Sequence, residues 1–229
     1  MQLARRLALI AGSFLMSAAC IAVAHTVAEG DQAFVSGSEG PRIVPFIYLG
    51  AKHMVTGYDH LLFLVGVIFF LYRLKDVALY VTLFAIGHST TLLLGVLAGW
   101  HVNAFLVDAI IGLSVVYKAL DNINAFRTWF GIEPNPRFAV LFFGFFHGLG
   151  LATKLQDLNL PRNGLVTNMI SFNVGVEIGQ FLALGVILLF MNYWRRTASF
   201  LRHAYFTNVL LMTAGFVLTG YQLSGYFLT

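Results

Sequence analysis

Residues 52–64 read KHMVTGYDHLLFL, with two histidines and an aspartate, His53, Asp59 and His60, at the mouth of a long apolar run. The fold turns on whether that run is one helix or two. His53 and His60 are seven residues apart, so on an unbroken helix they share a face but stand about 10.5 Å apart along the axis. One ion with ligands at about 2 Å does not span that gap. Thr56-Gly57-Tyr58-Asp59 reads as a capping box, with Thr56 on the first backbone amides and Asp59 reaching back from the third helical position. Either the chain breaks at Gly57 or the two histidines serve different sites, and the break, with the main helix starting near Gly57, is the favoured expectation. Taken alone, Asp59 is equally accounted for as a helix-start residue.

The solvent around this stretch follows from composition. Of 229 residues, 59% are hydrophobic and 10% charged, and the mean hydropathy is +0.80. Soluble domains carry about 25% charged residues, so the chain reads as an all-α integral membrane protein whose principal partner is the lipid bilayer. Arg5 and Arg6, an apolar run from Leu7 and the A-x-A pattern of Ala22 and Ala24 predict a signal peptide over residues 1–24, cleaved before His25. An uncleaved anchor is the alternative, and either leaves His25 outside the cytoplasm. The single cysteine, Cys20, falls inside this segment, so the mature chain has no thiolate ligand. Residues 25–42 are polar and rich in Gly and Ser, and are expected to form a short, poorly ordered periplasmic segment.

Residues 43–229 are expected to form one membrane domain. Apolar stretches near 43–72, 77–100, 103–123, 137–158, 165–194 and 203–227 predict a bundle of six transmembrane helices, the first and fifth long or broken. With the mature N-terminus outside, eight Lys and Arg fall on the inner side and four on the outer. That bias puts both mature termini in the periplasm of a bacterial inner membrane. Without the leader the chain has 12 basic against 10 acidic residues, no signature of nucleic-acid binding.

Other ionisable groups recur inside the spans: His88 in FAIGHSTTLL, Asp108 in FLVDAIIGLS, His147 in GFFHGLGLA, and Glu177 in SFNVGVEIGQ. Burying them in hydrocarbon is costly, so they are expected to face the bundle interior or water. Asn173, Glu177 and Gln180 follow i, i+4, i+7 spacing on one face. Singly, such groups serve as interhelical glue. Gly144, Gly148 and Ala152 around His147, and Gly175 and Gly179 around Glu177, predict that these two helices meet and make His147 and Glu177 neighbours. Imidazoles with few carboxylates and no thiolate suit nickel, copper, zinc or iron. No Walker-type loop is present to drive transport by nucleotide hydrolysis.

The spacing His53, five residues, Asp59-His60 resembles the first signature of the HupE/UreJ family, and Phe146-His147-Gly148 resembles the start of its second. GYDHLLFL, GHSTTL, FFHGLGLA and FNVGVEIGQ, over roughly residues 46–182, are similar to one branch of that family. The resemblance implies a nickel or cobalt permease associated with hydrogenase and urease maturation, with a metalloenzyme or its maturation proteins as further partners. It also implies a histidine at or near the mature N-terminus, as His25 would be. The chain departs from some members in lacking an acidic residue soon after Phe146-His147-Gly148, so Glu177 would have to supply that charge.

The expected activity is that of a secondary transporter or channel for a divalent transition metal, with nickel or cobalt favoured over copper or zinc. His53, Asp59 and His60 would form an outer capture site, and His88, His147 and Glu177 would continue the path, with His25 as an outlying ligand. The alternatives are an accessory subunit that holds metal for a metalloenzyme without moving it, and an intramembrane metal hydrolase. The last has no HExxH motif to support it, and the chain is expected not to be an enzyme.

Overall fold

A computed structural model describes residues 34, 35, 37, 39–158 and 162–228. The expected signal peptide, Cys20 and His25 lie outside the described residues. The helices are α1 (Ile43–Thr56), α2 (Tyr58–Ile68), α3 (Leu74–Ala98), α4 (Ala104–Asn122), α5 (Pro136–Gln156), α6 (Leu165–Arg195) and α7 (Ser199–Leu228), with a single π-helical turn at Phe126–Phe130. Among the described residues α3, α5, α6 and α7 are long and apolar enough to cross a membrane. Helix α4 has 19 residues but carries Asp108, Lys118 and Asp121.

The chain breaks at Gly57, where the backbone turns extended (φ −72°, ψ 103°) between α1 and α2. The expected capping box is not made. Thr56 donates its hydroxyl back to the Lys52 carbonyl at 2.8 Å, and Gly57 caps α2 with no side-chain bond. The rotamer that sends the Thr56 hydroxyl back to the preceding turn turns its lone pairs away from the first amides of α2, which a capping oxygen would have to accept. The fifth apolar stretch behaves oppositely. Helix α6 is one continuous run of 31 residues, about 46 Å long, and needs no break because it exceeds the roughly 30 Å hydrocarbon core by overhang and tilt.

Three tight pairs, α3 with α5, α1 with α6 and α4 with α7, build the bundle. Glycines set each approach. A Cβ at Gly148 would overlap the His88 carbonyl, one at Gly175 the Ile47 carbonyl, and one at Gly112 the Thr219 side chain and backbone. The two small-residue series thus do not face one another as expected. The Gly144 series packs on α3 and the Gly175 series on α1, because a small residue permits close approach without naming its partner.

Local chemistry fixes the ends. Asn103 and Asn135 accept the first amides of α4 and α5, with Pro136 opening the latter. The short helix α2 is held at its far end by Arg195, whose guanidinium donates to the Ile68 and Phe69 carbonyls and lies 4.9 Å from the Tyr72 ring centroid. Asn122 donates to the Gly66 carbonyl and to Asn208 Oδ1, both at 2.9 Å, tying α2 to α4 and α7. Part of the segment expected to be poorly ordered is packed down: Val35 is buried, Phe34 lies against Phe46, and Asn168 of α6 clasps the Gly40 carbonyl and the Arg42 amide.

Two clusters of buried side chains make the core. One contains Phe63, Phe84, Val115 and Val140, and the other Phe46, Met54, Leu92 and Phe172. The outward face of α6, with Phe181, Leu182, Leu189 and Phe190 exposed, is apolar as a lipid-facing surface must be.

Candidate metal centre

The break at Gly57 decides the geometry of the centre. It folds His53 back until its ring centroid lies 5.2 Å from that of His60, about half the axial separation a straight helix would impose. Asp59 sits between them in sequence and serves His60. Its Oδ1 accepts the His60 backbone amide at 2.8 Å and lies 3.0 Å from His60 Nδ1. With an ionised carboxylate as partner, Nδ1 carries the proton and Nε2 keeps the lone pair, the arrangement that orients a metal-binding imidazole.

His88 and His147 arrive on the α3–α5 pair. Gly87 lies against α5, Gly144 and Gly148 lie against α3, and Thr91 Oγ1 donates to the Phe145 carbonyl at 2.7 Å, locking the two helices in register. His60 then has His147 at 4.8 Å and His88 at 5.6 Å between ring centroids. Phe84 and Phe63 pack on His147 at 5.0 and 5.4 Å, and Phe172 lies 6.0 Å from His53. The imidazoles therefore touch both core clusters. His60, His88 and His147 are each 1% exposed.

Among the described residues, two groups of side chains could hold a metal ion: His53, His60 and His88, and Asp59, His60 and His147, each with one ligand atom per residue inside a span of 4.8 Å. Donors at about 2.1 Å around a tetrahedral ion are roughly 3.4 Å apart, so small side-chain rotations complete either site. His60 belongs to both. Together the two groups offer four imidazoles and one carboxylate, a borderline donor set suited to nickel, copper, zinc or iron rather than to calcium or magnesium.

Glu177 does not join them. It is exposed, in a groove of about 380 Å³ between α3 and α6 with Ser89, Thr90 and Gln180. At about 100° per residue, Glu177 is rotated roughly 40° from Asn173 and 60° from Gln180. Asn173 and Gln180 fall on the buried side and Glu177 outside it. The i, i+4, i+7 rule placed all three together only within that tolerance, and His147 and Glu177 are carried by helices that pack on different partners.

Two features escaped the sequence. Ser114 of α4, fully buried, lies with its Oγ 3.2 Å from His147 Nε2. Asp108, read only as one of several polar groups in the spans, pairs with Lys154 at 2.6 Å across α4 and α5. Opposite charges inside two adjacent apolar stretches would have signalled that pair, whereas nothing local marks Ser114.

His53, Asp59 and His60 on the broken helix and the Phe146-His147-Gly148 turn of α5 are the residues that carry the family resemblance. A model of the HupE / UreJ protein family matches residues 29–229. The chain belongs to the HupE/UreJ family. No curated protein and no solved structure matches it. As a HupE/UreJ protein it is a multi-pass membrane protein, and it carries a buried His/Asp group that could hold a metal ion.

Proposed function

We propose that the chain carries a divalent transition metal, nickel or cobalt, across a bacterial inner membrane as a secondary transporter or channel. The observation that carries the reading is that His60 is common to both ligand groups. An ion that must move needs sites weak enough to leave, and a shared imidazole lets an ion exchange His53 and His88 for Asp59 and His147 without passing through a state bare of protein ligands. The proposed ligands are His53, Asp59, His60, His88 and His147. Glu177 is left out of this set.

The proposal includes six crossings, with α1 and α2 together as one broken span and α4 as another. The three charged residues of α4 are compatible with this, since Asp108 and Lys118 are buried and paired with Lys154 and Asp121. The loop charges favour termini on the periplasmic side, and nickel and cobalt follow from what the HupE/UreJ resemblance implies.

The test is metal flux into proteoliposomes, with His60→Ala and His147→Ala alongside the wild type. Wild-type flux that both variants lose supports transport, and unchanged flux in both variants overturns it. The near-complete burial of His60, His88 and His147 favours a second reading, an accessory subunit that holds metal for a metalloenzyme. Stoichiometric bound metal with no wild-type flux selects that reading.

A further inference from the structure

Ser114 is 0% exposed, and its hydroxyl meets two groups. One is the Ile111 carbonyl at 2.6 Å and the other is His147 Nε2 at 3.2 Å. A serine has one hydroxyl proton and two lone pairs. A carbonyl oxygen only accepts, so the shorter contact uses that proton. The contact to His147 must then run the other way, with Nε2–H donating to Ser114 Oγ. A neutral imidazole carrying its proton on Nε2 keeps its lone pair on Nδ1.

We propose that Ser114 is a positioning residue that commits His147 to present Nδ1 to a divalent transition metal. The inference deepens the metal reading above and rests on it for the ligand. His60 is fixed in the opposite sense: Asp59 Oδ1 holds its Nδ1 proton and leaves Nε2 as donor. The two rings, 4.8 Å apart and nearly perpendicular at 75°, thus offer different nitrogens to one ion. Their tautomers are set before the ion arrives, by a carboxylate on α2 for one and a hydroxyl on α4 for the other. Such outer partners typically contribute 10- to 100-fold to metal affinity, because a ligand in the wrong tautomer must lose or move a proton before it binds.

The experiment reads the tautomers directly. Long-range proton–nitrogen correlation spectra of metal-free protein in detergent, with His147 assigned by the peaks lost in His147→Gln, should show a single Nε2–H pattern for His147 and an Nδ1–H pattern for His60. Ser114→Ala, which keeps the Cβ, should mix the two tautomers of His147 and leave His60 unchanged. Cobalt titrated into the same samples, followed by its visible spectrum, should bind Ser114→Ala about 10-fold more weakly or worse. Ser114→Cys, with a weakly bonding thiol of similar size, should fall between. An Nδ1–H pattern in wild-type His147, an unchanged pattern in Ser114→Ala, or equal cobalt affinity in wild type and variant would overturn the proposal. Wild-type protein with the expected tautomers and no cobalt binding overturns the metal reading instead, and with it the delivery step assigned to Ser114.

Discussion

The α1–α2 stretch and helix α6 use the same spacing to opposite ends. His53 and His60 are seven residues apart, and so are Asn173 and Gln180. Across the break at Gly57 the first pair is brought to 5.2 Å between rings. Along the unbroken α6 the second pair stands about 10.5 Å apart in axial height. Broken, a helix gathers sequence neighbours into one cluster of candidate ligands, and unbroken, it distributes polar groups at separate levels along its axis. The difference does not lie in how apolar the two stretches are but in whether the backbone turns extended partway.

The comparison can be broken most forcefully at α6. Gly175→Leu should cost about 3 kcal/mol or more of stability, since its Cβ already overlaps the Ile47 carbonyl and α6 would be pushed from α1. Denaturant unfolding in detergent measures it. Next, His60→Ala removes the residue common to both groups, so metal affinity by calorimetric titration should drop at least about 100-fold. His53→Ala, which dismantles one group, should lower it only about 10-fold on the same scale.

A subtler variant is Gly57→Ala. Alanine favours continuous helix over glycine by about 1 kcal/mol, drawing the population toward the form that parts His53 from His60, and a loss of about fivefold in affinity is expected by the same titration. Smallest of all, Gln180→Leu alters the unbroken pair and should leave metal affinity within about twofold of wild type. A large loss there would mean that α6 belongs to the centre after all.

Much of the architecture was legible because hydrophobicity and charge act locally. The six apolar stretches match helices or the broken helix pair to within a few residues, and the break at Gly57 was one of two ways to reconcile histidines two turns apart, the other being separate sites. What was not legible depends on which helix meets which. Gly148 and Gly175 announce close approach, but their partners, His88 and Ile47, are fixed by the packing of the whole bundle. Glu177 was misplaced because a rotation of about 40° is enough to carry a side chain past the edge of a buried stripe. The bond between Ser114 and His147 spans 33 residues and two helices, and neither residue type alone predicts it.

Helix α2, 11 residues anchored by Arg195 at Ile68, is about 16 Å long, roughly half the hydrocarbon thickness. In the six-crossing arrangement proposed above, the imidazoles at its other end sit near the electrical midpoint of the bilayer. A doubly charged ion reaching them crosses about half the transmembrane potential, worth roughly 2.3 kcal/mol per 100 mV. On that reading the resting voltage of the cell would act on occupancy of the centre about as strongly as a lost ligand does.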